Sequence, residues 1–264
     1  TPALAGPPID PLAALVQSLS IASRVPQIEV AVADDACALV LRVLDPPTDS
    51  DRASLAAFAA VHAVRFFLQP AGPDSIVPLD GAAPALHYAL PEFGVTIEFE
   101  PADFIQVNGA LNARMVGRAV GMLELEPRHV VLDLFCGLGN FSLPIARRAA
   151  EVVAVEGDSA LVGRARDNAV RNGIGNVSFH VADLFADSRG LPWAGRPYDR
   201  VLLDPPRAGA REVLPIVSAS GAGRVLYISC HPGSLARDAG ILVREHGFRL
   251  TAAGVMDMFP HTTH

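Results

Sequence analysis

The chain has 264 residues, enough for one large domain or two modest ones around a real core. Half of the residues are hydrophobic, yet no apolar run approaches the roughly 20 residues of a membrane span, and the opening TPALAGPPIDPL lacks the basic stretch and compact apolar core of a secretion signal. Three widely spaced cysteines argue against a disulfide framework or zinc cluster and for a reduced, cytoplasmic protein, while a net charge of −7 gives no whole-chain electrostatic footprint for nucleic acid.

Residues 27–33 and 36–44 read as two β-type runs around a turn at Asp34–Asp35. Thr48, Asp49 or Ser50 is placed to cap a helix over DRASLAAFAAVHAV. A third run, Arg65 to Gln69, leads into the loop PAGPDSIVPLDGAAP. Residues 85–90 and 93–99 then form a hairpin around Pro91, with Val95, Ile97 and Phe99 alternating with polar partners. Residues 1–104 are thus expected to be a small α+β domain, with no catalytic motif of its own.

A second domain is expected over 105–264, where strands and helices alternate. A helix over about 109–124 puts Val116, Val120 and Leu123 on one face. Strand candidates follow in HVVLDLF, EVVAVEG, VSFHVAD, YDRVLLD and RVLYISC, separated by helices near 141–150, 158–172, 209–219 and 233–246. Their near-continuous Val/Leu/Ile runs predict an α/β fold with a parallel sheet buried on both faces. Such a sheet binds ligands beyond the carboxyl ends of its strands.

The first of those ends carries Asp133-Leu-Phe135-Cys-Gly137-Leu-Gly139-Asn140, a loop whose glycines let backbone pass close to a ligand. Ser142 stands where a dinucleotide fingerprint needs its third glycine, which counts against a nicotinamide enzyme. Glu156 ends the second strand, suited to ribose hydroxyls, and Asp183 ends the third, suited to an adenine amine. Singly, each acid reads as a solvated strand end; in succession beside a glycine loop they form a site. The series resembles the class I S-adenosylmethionine methyltransferase fold.

The fourth strand ends in Asp204-Pro205-Pro206-Arg207. Asp-Pro-Pro by itself suggests an amine methyltransferase, but Arg207 follows where an aromatic residue usually stacks on the base. The fifth ends in Cys230. A free cysteine is ordinarily a small core residue, whereas one at the carboxyl end of a central strand is placed for chemistry. Carbon 5 of uracil is a poor nucleophile. Thiolate addition at C6 makes C5 an enolate-like carbanion able to take a sulfonium methyl. A general base then removes the C5 proton, and the thiolate leaves.

FIQVN (104–108), DLFCGLGNF (133–141), VEG (155–157), LLDPPRAG (202–209), YISCHPGSLARD (227–238) and MDMFPHTTH (256–264) together resemble the RNA 5-methyluridine methyltransferase family. The spacing is most similar to its branch acting on 23S ribosomal RNA. The resemblance implies S-adenosylmethionine as cofactor, S-adenosylhomocysteine as product, an RNA substrate, no membrane partner and a monomer. It implies Cys230 as nucleophile, and Gln106, Phe135, Gly137, Gly139, Asn140, Glu156, Asp183 and Asp204 around the cofactor and substrate. An amide is usual at position 183, Asn at His231 and Ala at Pro205; these departures are expected to adjust the pocket rather than the reaction.

Other expectations concern missing parts. The family's RNA-binding TRAM barrel and four-cysteine iron–sulfur site do not occur in this sequence, and losing the barrel would account for the acidic charge. The general-base Glu is expected just after His264, followed by a last antiparallel strand. An amine methyltransferase, or a cofactor-binding segment inactive for want of that Glu, remain the alternatives.

Overall fold

A computed structural model describes residues 9–81 and 84–258. The chain divides into two compact units, residues 1–88 with 98–107 and residues 89–97 with 108–264.

In the first unit, α1 (Ile9–Ser18) precedes β1 (Gln27–Val32), β2 (Cys37–Arg42), α2 (Asp49–His62), β3 (Val64–Gln69) and β4 (Val77–Pro78). The strands form one sheet in the order β1-β2-β3-β4. β1 and β2 are antiparallel across the Asp34–Asp35 turn, and α2 is the crossover that makes β2 and β3 parallel. α2 begins with a capping box: Asp51 N–H donates to Thr48 Oγ1 and Thr48 N–H to the Asp51 carboxylate. Leu12 and Leu19 join Leu39, Leu41, Leu55, Phe58 and Leu68 in its core. The helix α1 was not expected from the sequence, although Pro11 in a first turn is compatible with one. β5 (Leu86–Leu90) and β6 (Val95–Phe99) pair as a separate two-stranded sheet, which bears out the hairpin around Pro91.

The second unit contains α3 (Gly109–Met122), β7 (Val130–Leu134), α4 (Ser142–Ala146), β8 (Glu151–Glu156), α5 (Ser159–Arg171), β9 (Val177–Val181), β10 (Arg200–Leu203), α6 (Leu214–Ala219), β11 (Arg224–Tyr227) and α7 (Pro232–Glu245). Among the described residues, strands β7 to β11 form one parallel sheet in the order β11-β10-β7-β8-β9. On one face Leu132, Leu134, Val201 and Leu203 pack with Leu214, Ile216, Val217 and Leu242 of α6 and α7. Val131, Val152 and Leu202, on the other face by strand alternation, are equally inaccessible. The unbroken apolar runs in the sequence follow from this burial on both sides.

The strand order locates the site. From β7 the chain builds outward through β8 and β9, then returns to the opposite side of β7 for β10 and β11. The reversal lies between β7 and β10, where a doubly wound sheet opens a crevice at its carboxyl edge. At the amino edge, Arg200 Nε and Arg224 Nη1 donate to the Leu123 and Met122 carbonyls and close the end of α3. Residues 247–257, after α7, form neither helix nor strand.

Candidate active site

At the carboxyl edge, five strand ends stand in a row: Cys230 beyond β11, Asp204 beyond β10, residues 135–140 beyond β7, Glu156 closing β8 and Asp183 beyond β9. With neighbouring strands about 4.8 Å apart, the row spans about 20 Å. The order was not available from the sequence, because it depends on how the crossovers fold.

Phe135 and Cys136 donate their backbone N–H groups to Val155 O at 2.9 and 3.1 Å, which turns the chain off β7 toward β8. Phe135 and Gly137 adopt left-handed backbone at φ 66° and 51°, and Gly139 has φ 90°. A Cβ at Gly139 would stand 3.2 Å from Leu143 Cγ, tighter than an ordinary contact and at a φ that side chains rarely adopt, whereas Gly137 faces open space. Phe135 sits half-buried with its ring 5.8 Å from that of Phe185.

The Glu156 carboxylate lies at the mouth of this loop. It accepts from Gly137 N at 3.1 Å, Gly157 N at 2.7 Å and Asp158 N at 3.1 Å. Asp183 is exposed and accepts from Phe185 N through Oδ1. Beneath the loop, Asp133 is wholly buried. Its Oδ2 accepts from Ser142 Oγ, while Oδ1 has no hydrogen-bond partner among the described residues. Burial pushes the Asp133 carboxyl up to about 7, against the Ser142 hydrogen bond and aided by the charges of Asp204 and Glu156. Burial likewise pushes Asp204 up to about 6.

Cys230 is exposed, in contrast to Cys37 and Cys136, which are buried. It directly precedes His231, the N-cap of α7, whose Nδ1 accepts from Ser234 N at 3.1 Å. The imidazole therefore carries its proton on Nε2 when it caps. An Asn side chain would cap equally well there, so the departure at His231 keeps this contact.

Asn140 is held through both ends of its amide by Asn112 of α3, at 3.0 Å in each direction. Phe135, Gly137, Gly139, Asn140, Glu156, Asp183, Asp204 and Cys230 thus share one edge of one unit. Gln106 falls in the other unit, half-buried in irregular backbone. Asn112, Tyr227 and Asp238 carry no signal of their own in the sequence, and Ser142 is marked there only as a missing glycine; a polar side chain gives no periodic signal until its partner is known. Residues 259–264 of the MDMFPHTTH segment lie outside the described residues.

A family model described as tRNA (Uracil-5-)-methyltransferase matches residues 94–264, the range holding every segment on which the resemblance rests. The chain belongs to this family. The curated 23S rRNA (uracil(1939)-C(5))-methyltransferase RlmD of Xanthomonas euvesicatoria pv. vesicatoria is 51% identical over 98% of this chain. That of Alkalilimnicola ehrlichii is 55% identical over 96%. This chain spans 58% and 57% of the length of those two relatives. Among solved structures, the Pyrococcus abyssi tRNA (uracil-54, C5)-methyltransferase in complex with S-adenosyl-L-homocysteine matches with a TM-score of 0.66 at 22% identity, covering 86% of this chain and 53% of that one. A putative transferase from Pyrococcus horikoshii matches at 0.56 and 20% identity, covering 90% and 88%. At these identities the likeness shows the fold, which is the α/β methyltransferase fold expected from the strand and loop pattern.

Proposed function

We propose that this member of the uracil-5-methyltransferase family transfers a methyl group from S-adenosylmethionine to C5 of a uridine in RNA, with Cys230 as nucleophile. The relatives' names support 23S ribosomal RNA as the RNA. The observation that carries the reading is the exposed thiol at the end of β11, one strand from Asp204 and two from the glycine loop.

The residues present suit the cofactor. Glu156 offers a carboxylate to vicinal ribose hydroxyls beside a Gly137 backbone that no side chain shields. Asp183 keeps Oδ2 clear of its own turn for an amine donor. Bound S-adenosylmethionine supplies the electrophilic methyl group. The Cys230 thiolate adds to C6 of the uracil, and the electron pair this releases onto C5 takes the methyl group. A general base then removes the C5 proton, the double bond reforms and the thiolate departs. Asp204, with a carboxyl near pH 6, can donate to or accept from the uracil edge around neutrality. Three free cysteines support a reduced, cytoplasmic setting, and among the described residues no helix is long and apolar enough to cross a membrane.

Incubation of the full-length protein with 5-fluorouridine RNA and S-adenosylmethionine tests the mechanism, because fluorine at C5 blocks the elimination. A denaturation-resistant protein–RNA adduct is expected for the native sequence and not for Cys230→Ala. Full methyl transfer by Cys230→Ala would remove the thiol from the mechanism and favour the amine methyltransferase reading of Asp204-Pro205-Pro206.

A further inference from the structure

The turn that presents Cys230 is closed from behind by one carboxylate. Asp238 lies on α7 seven residues past His231, two helical turns on, and is wholly buried. Its Oδ2 accepts from Tyr227 Oη at 2.7 Å, and Tyr227 is the last residue of β11, three before Cys230. The strand, the turn and the helix are therefore tied into a closed ring whose exposed end is the thiol. The same Oδ2 accepts from Ala210 N at 2.7 Å, at the far end of the loop that begins with Asp204. Arg237 completes the arrangement: its Nε donates to Asp238 Oδ1 at 2.7 Å, and its Nη2 donates to Ala208 O at 2.7 Å.

Two loops of independent origin thus share one buried anchor. The Asp204 loop leaves β10 and the Cys230 turn leaves β11, and ladder pairing places Leu203 beside Tyr227 just before they part. Beyond that point the strand ladder no longer fixes their separation. The fit leaves no slack, since a Cβ on Gly209 would meet Asp238 Oδ2 and Arg237 Nη2 at 2.5 Å each.

We propose that Asp238 is a positioning residue for methyl transfer: through Tyr227, Ala210 and Arg237 it sets the placement of the Cys230 thiol relative to Asp204. This rests on the reading of Cys230 as nucleophile. A thiol displaced by a fraction of an ångström from C6 loses the near-attack geometry that the addition needs. Cofactor affinity, which rests chiefly on the strand ends at β7, β8 and β9, changes little.

The test compares Tyr227→Phe, Asp238→Asn and Cys230→Ser in the full-length protein. Methyl transfer to 23S ribosomal RNA transcript, adduct formation with 5-fluorouridine RNA, S-adenosylhomocysteine binding and thermal unfolding are measured on each. Tyr227→Phe is expected to lower kcat about tenfold and Asp238→Asn about 100-fold, with adduct formation slowed in step. Affinity for S-adenosylhomocysteine and KM for S-adenosylmethionine should stay within about threefold. Unchanged kcat in Tyr227→Phe overturns the proposal, and so does activity that falls only in proportion to the folded, cofactor-binding fraction. Wild-type turnover in Cys230→Ser instead sinks the nucleophile reading, and the positioning role with it, whatever the other two variants do.

Discussion

The side-chain amides of Asn112 and Asn140 exchange two hydrogen bonds, each 3.0 Å long, so that α3 holds the end of the glycine loop. Asn112 is buried and Asn140 half-buried, so the Asn112 amide has no water to turn to without moving the loop. Replacing either member removes two hydrogen bonds from the end of the glycine loop, each worth about 0.5–1.5 kcal/mol net. Asn112→Ala is expected to destabilise the protein by about 1–3 kcal/mol in urea unfolding and to weaken S-adenosylhomocysteine binding by calorimetry. The double variant with Asn140→Ala should lose less than the sum of the two single changes. Strict additivity would show that the amides do not act as a pair.

Asp133 gives a pH dependence of stability whose sign is opposite to that of an ion-paired carboxylate. Its folded-state value of about 7 lies above the ordinary 3.8, so between these pH values the native protein holds a proton that the unfolded chain has released. The free energy of unfolding therefore falls as pH rises from about 4 to 7 and levels off above. Asp204, raised to about 6, adds to the same trend within the same window. Asp238 and Glu151, whose hydrogen bonds and arginine partners lower them, change stability only below their ordinary range. His180, lowered by burial and by Arg166 and Arg196, opposes the trend near its upper end. The comparison with Asp133→Asn cancels that contribution. The variant is expected to show a distinctly flatter fall in thermal midpoint between pH 5 and pH 7.5, and parallel curves would exclude a buried, protonated Asp133.

Two glycines with left-handed backbone should answer differently to the same substitution. Gly209 has φ 89° and no room, with the buried carboxylate of Asp238 in the way. Gly137 has φ 51° and nothing within 4 Å of an added Cβ. Gly137→Ala is expected to cost about 1 kcal/mol of stability, the conformational penalty alone. Gly209→Ala should cost that plus displacement of the Asp238 anchor, about 2–4 kcal/mol in all. Thermal unfolding of the two variants side by side gives the comparison. Equal losses would mean that the loop after Asp204 yields, contrary to the close fit around it.

The elements of the second unit were legible because both of their signals were strong. Each of β7 to β11 is a short apolar run that ends in a polar or glycine-rich turn, and each carboxyl end carries a residue of recognisable chemistry. Strand order was not legible, since Val130–Leu134 and Arg200–Leu203 bear no mark of their adjacency. Helices α4 and α6 are shorter than the stretches 141–150 and 209–219 that the sequence suggests: Ser142–Ala146 and Leu214–Ala219 are single turns or little more. Apolar residues around them belong to the loops that close over the sheet. Tyr227 and Asp238 stood inside a segment that the sequence marked as significant, yet their partnership crosses a turn and a helix. Only coordinates bring a phenol from one and a carboxylate from the other to 2.7 Å.

Thiol chemistry separates the three cysteines by environment. Cys37 is buried, and burial raises its pKa above the usual thiol value. Cys136 is held well above it, chiefly by burial and further by the negative charges of Asp133 and Glu156. Both are thus kept as unreactive thiols and shielded from reagent. Cys230 is exposed on the strand-end row. Among Cys37, Cys136 and Cys230, an aromatic disulfide reagent is expected to modify Cys230 alone in the native protein and all three in denaturant, as read by peptide mass mapping. Because the modified sulfur is the proposed attacking atom, labelling should abolish methyl transfer while S-adenosylhomocysteine still binds at the Glu156 end of the row. Rapid native modification of Cys37 or of Cys136, which lies in the glycine loop, would contradict their burial. Methyl transfer that survives complete labelling of Cys230 would leave the thiol without a part in the reaction.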